Sequence, residues 1–239
     1  LYEKITTCTI DQIFPFVFKY RGYEKIYATL SYSKLVIDEI QAYSPEIVAV
    51  ILKGLQMINN INGKFMIMTA TLPRIYKEKL AEMGIKFEYN KFIKDVKRHK
   101  VLLKDSAMEE DIEEIKENAK NKKVLIIVNT INRAIELYEK LRSENVENIN
   151  LLHSRFIQED RSEKERNIKE FSRTDNGTGI WITTQIVEAS LDIDFDMLYT
   201  EMSTLDSLFQ RLGRCYRSRE YDKDESNVKI YTKDASGVG

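Results

Sequence analysis

The sequence predicts an α/β protein of two domains, each built around a parallel sheet that helices cover on both faces. Short aliphatic runs alternate with longer stretches of helical periodicity, and parallel strands need helical connections of this kind. The alternation occurs twice, and the polar segment 90–100 separates the two series. We therefore expect a first domain over residues 1–92 and a second over residues 93–239.

The first series begins with an aliphatic strand at residues 35–37. Ser44 is expected to cap the helix that follows, with Pro45 in its first turn, where the missing N–H of proline costs nothing. A second strand at residues 65–68 precedes a helix that Gly84 is expected to end. The first of these two helices carries its apolar residues at helical spacing: Val48, Ile51, Leu52 and Leu55.

The second series begins with the β-branched strand 124–128, after which Thr130 is positioned to cap a helix. Another strand is expected to end near Leu152. The helix after it is expected to begin at Asp160, because Asp160 and Glu163 have the spacing of a capping box. Aliphatic runs predict three further strands, of which the last is expected at an edge of the sheet: residues 180–182, 197–199 and 228–231.

Composition and charge exclude several classes of protein. The net charge is −1, which argues against an indiscriminate polyanion binder, and two histidines cannot build a histidine-rich metal nuclease site. Cys8 and Cys215 match no metal-ligand spacing and indicate a reducing, cytosolic setting. No run of 18 apolar residues occurs, so we expect no membrane association through a spanning helix.

Polar residues follow the strands of the first series, at the edge where parallel sheets bind ligands. Asp38 ends the aliphatic run, a position from which an aspartate holds Mg²⁺ directly or through water. Glu39 beside it can orient and deprotonate an attacking water, although a solvated strand-to-helix turn is the alternative interpretation. Thr69 and Thr71 follow the next strand and indicate either a link from a nucleotide site to another surface or a helix cap before a proline.

A second set of polar residues follows the strands of the second series. Thr184 comes after a strand, with Asp192 beyond it, and the segment 210–217 is expected to end a helix. Arg214 and Arg217 are three residues apart, so on a helical turn both guanidinium groups would project from one side and suit a phosphoryl group. A solvated basic helix end is the alternative.

These motifs resemble, in their order, those of superfamily-two helicases: Asp-Glu-x-Gln, Thr-Ala-Thr, Thr-x7-Asp and Gln-Arg-x-Gly-Arg-x-x-Arg. The connecting segments resemble more specifically the CRISPR-associated helicase–nuclease family of type I systems, and the resemblance runs through nearly the whole chain. The segments that carry it are residues 9–12, 36–45 (VIDEIQAYSP), 68–73 (MTATLP), 152–156 (LHSRF) and 184–194 (TQIVEASLDID).

The resemblance implies two RecA-like domains, the first one incomplete, that bind ATP and Mg²⁺ between them and move along single-stranded DNA. It assigns Mg²⁺ to Asp38, water activation to Glu39 and the ribose of ATP to Asp192. It assigns the remaining roles as follows: Gln41, Thr69 and Thr71 couple nucleotide state to DNA grip; Thr9, Asn129, Thr130 and Thr184 border the nucleic acid; Gln210 lies at the domain interface; Arg214 and Arg217 reach the γ-phosphate.

The sequence departs from the family pattern in three places. It contains no Gly-x-x-x-x-Gly-Lys-Ser/Thr phosphate loop, so we expect the chain alone to bind ATP weakly and to hydrolyse it poorly. The histidine–aspartate (HD) nuclease domain is also missing, and we expect it in the same or a separate chain. Gln41 stands where many relatives have histidine.

The expected partners are single-stranded DNA and a Cascade-type CRISPR surveillance complex. Two alternatives remain open at the level of sequence. One is a superfamily-two helicase that acts on RNA or on DNA under repair, and the other is a non-catalytic docking module.

Overall fold

The computed structural model describes residues 5–69, 72–188, 191–233 and 235, and the chain divides into two compact units, Leu1–Phe92 and Ile93–Gly239. Each unit contains a parallel sheet with helices packed on it, so the expected α/β class is confirmed. Within the described ranges, no helix is long and apolar enough to cross a membrane.

The first unit contains a two-stranded parallel sheet, β1 (Lys34–Asp38) and β2 (Lys64–Met68). The register pairs Lys34 with Lys64 and Asp38 with Met68, so both strands end at the same level. The helices of this unit are α1 (Ile10–Ile13), α2 (Tyr23–Tyr32), α3 (Pro45–Asn60) and α4 (Arg74–Glu82), with 3₁₀ turns at Phe14–Phe18 and Ile40–Ala42.

Helix α3 forms the centre of the first core. Ser44 occupies its N-cap position and Pro45 its first turn, as the sequence predicts. Gly54 lies against Phe14, where a Cβ atom would stand 2.6 Å from Cδ1 of that ring. The apolar face of α3 is buried as expected through Val48, Ile51, Leu52, Leu55 and Ile58.

The second unit contains a six-stranded sheet in which every pair of neighbouring strands is parallel. Its order is β3-β8-β7-β4-β6-β5, with β3 Val101–Lys104, β4 Lys123–Ile127, β5 Ile149–Leu152, β6 Gly179–Thr183, β7 Met197–Glu201 and β8 Val228–Tyr231. Helices α5 (Ile112–Ala119), α6 (Ile131–Ser143), α7 (Gln158–Arg173) and α8 (Leu205–Leu212) connect the strands, with 3₁₀ turns at Met108–Asp111 and Gln185–Val187. Strands β4, β6 and β7 are buried along their whole length, as central parallel strands require.

One expectation about this sheet is wrong, and one of its strands was not predicted. β8 is not an edge strand, because it lies between β7 and β3, and β3 itself was not expected. β3 is short and Val101, Leu102 and Leu103 are exposed, so its sequence has no buried face to mark it. Helix α7 begins at Gln158 rather than at Asp160, and its N-cap residue, Ile157, makes no capping hydrogen bond. Asp160 instead lies in the first turn, where a carboxylate favours the helix dipole.

The segment before β3 belongs to the second unit, and Asn227 holds it there. This buried side chain accepts a hydrogen bond from the Lys100 amide at 2.8 Å and donates one to the Arg98 carbonyl at 2.9 Å. The Tyr221 amide also donates to the Lys97 carbonyl at 2.8 Å. The polar stretch that separates the two series is therefore docked, at its end, on the sheet it precedes.

Candidate functional site

An acidic pair stands at the carboxyl end of the first unit's sheet. Asp38 is the last residue of β1, Glu39 follows it, and both are exposed. The Glu39 amide donates to the Met68 carbonyl at 2.8 Å, and its backbone has φ 51° and ψ 51°. A positive φ is uncommon for a residue other than glycine, and such strain is found where a side chain has a required direction. The turn therefore presents two carboxylates just beyond the strand ends.

Side chains on two neighbouring strand ends are joined by hydrogen bonds. Gln41 donates through Nε2 to Oε2 of Glu39, and the Thr69 hydroxyl donates to Oε1 of Gln41. Gln41 lies in the short 3₁₀ turn after Glu39, and Ile40 anchors that turn because it is fully buried. Thr69, just after β2, is thus linked through Gln41 to the Glu39 carboxylate. Thr71 lies outside the described residues, and Thr9 lies apart from this chain of bonds at the exposed N-cap position of α1.

The carboxylates of the first unit offer sparse ligation for a metal. In the described parts of the chain, no group of three or more His, Cys, Asp or Glu residues converges as a metal site. Mg²⁺ does not need such a cage, because it keeps several waters and takes one or two carboxylates together with substrate phosphates. An exposed Asp38 at a strand end fits that requirement.

The second unit places its predicted residues at the carboxyl edge of its sheet. Asn129 follows β4 and makes four hydrogen bonds, one of which comes from Arg211. Its amide donates to Oε2 of Glu201 at 2.7 Å, its Nδ2 donates to the Met202 carbonyl at 2.8 Å, and its carbonyl accepts from Nε2 of Gln185 at 2.7 Å. Thr130 caps α6, as expected, by accepting from the Arg133 amide at 3.3 Å. Thr184 follows β6 but is only 3% exposed, so its side chain lies beneath the surface. Its contact with nucleic acid stays a prediction.

Arg211 is the residue that the sequence interpretation missed. It is fully buried, yet it carries a charge, and each of its three nitrogens donates a hydrogen bond. The Nε atom binds Oε1 of Glu188 at 2.7 Å and Nη2 binds Oδ1 of Asn129 at 2.8 Å, while Nη1 binds Oγ1 of Thr200 at 2.8 Å. The sequence signal was present, since Arg211 lies inside the arginine-rich segment, but nothing in that segment indicates which arginine points inward.

A second missed residue is Glu201, at the end of β7. Its carboxylate accepts from the Asn129 amide and from Nε of Arg133 at 3.3 Å, and Arg133 also binds Glu109. Burial raises the pKa of Glu201, while the hydrogen bond from Asn129 and the charge of Arg133 oppose that rise. Glu201 is a position that strand-end reasoning could have identified, because it is the last residue of the strand β7.

The predicted arginine pair does not share a helical turn. Helix α8 ends at Leu212, with Gly213 as its C-cap, so Arg214 and Arg217 lie in the irregular segment that follows. Arg214 is 9% exposed and donates to the Leu191 carbonyl at 2.6 Å and to the Glu188 carbonyl at 2.5 Å. Burial lowers the pKa of Arg214, and the neighbouring Arg217 charge lowers it further.

Arg217 points elsewhere. It is exposed, and its Nε lies 3.0 Å from Oδ1 of Asp192. The expectation that both guanidinium groups project from one side is therefore wrong in geometry, because the helix has ended before Arg214. Arg214 instead binds the carbonyls of Glu188 and Leu191, and Arg217 binds the Asp192 carboxylate. Gln210, one residue before Arg211, is half-buried on α8.

Comparisons with known proteins connect this arrangement to one family. The family described as CRISPR-associated nuclease/helicase Cas3, C-terminal, matches residues 120–220. The CRISPR-associated nuclease/helicase Cas3 of Methanothermobacter thermautotrophicus is 34% identical over 241 residues, covering 94% of this chain and 29% of that protein. The Escherichia coli K12 CRISPR-associated endonuclease/helicase Cas3 is 30% identical, covering 99% of this chain and 31% of its own length. The chain thus spans less than two thirds of the relatives it matches.

Solved structures show the same fold. The structure titled T. fusca Cas3-ATP matches with a TM-score of 0.81 at 19% identity, covering 94% of this chain and 32% of that one. A chain of the structure titled CRISPR RNA-guided surveillance complex, pre-nicking, matches at 0.75 and 20% identity, with coverages of 93% and 34%. S. cerevisiae Dbp5 bound to RNA and ADP BeF3 matches at 0.55 and 17% identity, with coverages of 83% and 52%. At these identities the likeness shows the RecA-like fold alone.

Proposed function

We propose, because the chain belongs to the CRISPR-associated nuclease/helicase family, that it supplies most of an ATP-driven motor that moves along single-stranded DNA in CRISPR interference. Residues 1–92 would form the C-terminal part of the first RecA-like domain, and residues 93–239 would form the second. The preference for DNA rests on the family, whose members match with a higher TM-score than the RNA-bound Dbp5 does.

The observation that carries the proposal is the hydrogen-bonded chain Glu39–Gln41–Thr69 at the end of the first sheet. A hydrolase needs a carboxylate that orients and accepts a proton from the attacking water, and Glu39 is held in one direction by Gln41. A motor also needs that carboxylate to respond to a second surface, and Thr69 supplies the link from the neighbouring strand.

ATP and Mg²⁺ are the proposed substrate and cofactor. Asp38 would hold the ion, which when bound neutralises charge on the phosphate oxygens. Asp192 would face the ribose and Arg217 the γ-phosphate. The ion pair that these two side chains now form with each other would break when the nucleotide binds. Arg214 would act at the same phosphate after release from the two carbonyls that it now binds.

The nucleic acid would follow the strand ends of both units. Thr9, Asn129, Thr130 and Thr184 are the proposed contacts, and Gln210 is the proposed interface residue. Such contacts serve phosphate oxygens rather than base edges, because a translocating motor must act on any sequence. The proposed partners are a Cascade-type surveillance complex and an HD nuclease domain in the same or another chain.

The decisive measurement is ATP hydrolysis stimulated by single-stranded DNA. It is made on the longest encoded chain that contains these residues, with the 239-residue chain and a single-stranded RNA of equal length as comparisons. We expect stimulation by DNA in the longer chain and little turnover in the shorter one. Stimulation by RNA alone would favour an RNA helicase, and a folded but inactive longer chain would favour a docking module.

The variant Glu39→Gln tests the assigned base. It keeps the side-chain size, so ATP binding should persist while turnover falls by a factor of about 100 or more, the usual effect of general-base removal. Glu24→Gln, an exposed glutamate in the first turn of α2, is the matched control and should hydrolyse ATP normally. Near-normal turnover in Glu39→Gln would remove Glu39 from the reaction.

A further inference from the structure

We infer that Arg98 is a positioning residue for Arg217 in the hydrolysis of ATP. The inference rests on the proposed function, because that function assigns Arg217 to the γ-phosphate. Arg98 lies in the segment 97–100, which leads into β3 and stands outside the helicase motifs of the sequence. It acts on the backbone of Arg217 and not on its side chain.

The side chains of Arg98 and its neighbour His99 enclose one short stretch of backbone. Nε2 of His99 donates to the Cys215 carbonyl at 2.7 Å, and Nη1 of Arg98 donates to the Arg217 carbonyl at 3.0 Å. The first carbonyl directly precedes Tyr216, and the second directly follows the Cα of Arg217. Two adjacent side chains thus hold both ends of the stretch that carries Arg217.

Tyr216 is a residue whose backbone needs to be held. Its φ is 48°, in the left-handed region that a bulky residue rarely adopts. Such a conformation persists only where the surrounding contacts determine it. The Tyr216 amide donates to the Phe195 carbonyl at 3.1 Å, and its ring meets that of Tyr221 edge-on with centroids 4.9 Å apart. The bond from Arg98 extends this constraint to Arg217.

The backbone of Arg217 is bonded on both sides of its Cα. Its amide donates to Oδ1 of Asp194 at 3.0 Å, and its carbonyl accepts from Arg98. Its exposed guanidinium pairs with Asp192, and under the proposed function that ion pair breaks when the nucleotide binds. The reach of the guanidinium then depends on where the Cα of Arg217 stands, and the two backbone bonds fix that position.

Arg98 is itself anchored to the buried part of the second unit. Its carbonyl accepts from Nδ2 of the buried Asn227 at 2.9 Å, while its side chain is exposed. The Tyr221 amide donates to the Lys97 carbonyl at 2.8 Å and holds the preceding residue. Because an exposed side chain can be shortened without opening a cavity in the core, a positioning role of Arg98 can be separated from a structural one.

The test measures steady-state ATP hydrolysis by the longest encoded chain, with saturating oligothymidylate and varied ATP. Arg98→Met should lower kcat about tenfold and leave KM for ATP nearly unchanged, since a misplacement of about 1 Å can cost about 100-fold in rate. Arg98→Lys keeps a cationic donor for this single bond and should recover most of the loss. Arg142→Met, an exposed arginine in the last turn of α6, is the matched control and should hydrolyse ATP normally.

A double-mutant cycle shows whether Arg98 acts through Arg217. In an Arg217→Met chain, the further change Arg98→Met should leave kcat unchanged, because the side chain that it positions is gone. A further loss of kcat in that background overturns the inference. So does a lowered thermal midpoint that Arg98→Met and Arg98→Lys share, since the loss would then be one of folding.

Hydrogen exchange separates this inference from the proposed motor. The amides of residues 216 and 217 should exchange faster in Arg98→Met than in the wild-type chain, and this readout needs no activity. An active wild-type chain in which Arg98→Met changes neither exchange nor kcat overturns the positioning role alone. Absence of DNA-stimulated hydrolysis in the wild-type chain overturns the proposed motor, and the positioning role with it.

Discussion

Replacing Asn227 by alanine should destabilise the second unit and release the segment that enters it. Asn227 is the first residue before β8 and is fully buried, and its side-chain amide bonds the backbone on both sides of His99. The backbone of Asn227 also accepts from the Leu198 amide at 2.9 Å, and alanine retains that bond. The substitution therefore removes the two bonds to the segment before β3, together with a long contact from Nδ2 to Cys215 Sγ at 3.8 Å, and leaves the strand pairing intact.

The two bonds differ in cost. Arg98 is exposed, so water can replace the amide at its carbonyl, and that loss costs about 0.5–1.5 kcal/mol. Lys100 is half-buried, and an amide that stays unpaired costs about 1–3 kcal/mol. The sum is about 1.5–4.5 kcal/mol, and we expect a loss of about 3 kcal/mol. For a unit of this size that loss lowers the melting temperature by about 6–12 °C.

Tryptophan fluorescence reports this unit selectively. The chain has one tryptophan, Trp181, which lies 2% exposed in β6. Urea and thermal unfolding followed by this signal should show the loss in Asn227→Ala but not in Asn121→Ala, an exposed asparagine between α5 and β4. Hydrogen exchange should also accelerate over residues 97–100. A loss of stability below about 0.5 kcal/mol, the ordinary scatter of surface substitutions, would refute the free energies assigned to these hydrogen bonds.

The remaining predictions concern packing and pH. Gly54→Ala places a Cβ 2.6 Å from the Phe14 ring, and we expect it to destabilise the first unit. The overpacking cost of about 1–3 kcal/mol should exceed the gain of about 1 kcal/mol in helix propensity. Thermal melting followed by circular dichroism measures the effect, and an increase in stability would mean that Phe14 moves aside. Burial lowers the pKa of His99, although its bond to the Cys215 carbonyl opposes this. The unfolded chain therefore binds the proton first, and stability that is complete above about pH 6.5 is lost as the pH falls. His99→Gln should reduce this slope in urea titrations between about pH 7 and 5, and an unchanged slope would assign it to other groups.

The pattern of hydrophobic residues identified the strands that are fully buried and the helices that bury one face. Strands β4, β6 and β7 are mostly apolar and are buried along their whole length, and α3 is amphipathic with its apolar face buried. The same reasoning failed for β3, whose side chains are exposed and whose pairing with β8 depends on backbone bonds. Strand order failed for the related reason that no side-chain pattern distinguishes an edge from an interior position.

Motif reasoning identified side chains by chemistry, and the structure adds their direction. Glu39 was expected to activate water, and Gln41 and Thr69 to couple nucleotide state to DNA grip. Gln41 hydrogen-bonds both Glu39 and Thr69, since the carboxyl ends of β1 and β2 meet at one level. Their catalytic roles stay predictions. Motifs do not show whether a side chain is accessible. Thr184 is buried, yet a threonine after a strand has the same sequence signal whether it is exposed or buried.

The arginine segment shows why direction could not be derived from spacing. A helix continued past Leu212 would have placed Arg214 and Arg217 on one side. Instead α8 ends at Leu212, with Gly213 as its C-cap, and Cys215 forms a parallel bridge with Phe195. Cys215 in that bridge is fully buried, whereas Arg217 two residues later is exposed. Arg214 consequently turns inward to the loop carbonyls and Arg217 outward to Asp192. The inward arginines are held by tertiary hydrogen bonds across the sheet, which no local pattern of residues encodes.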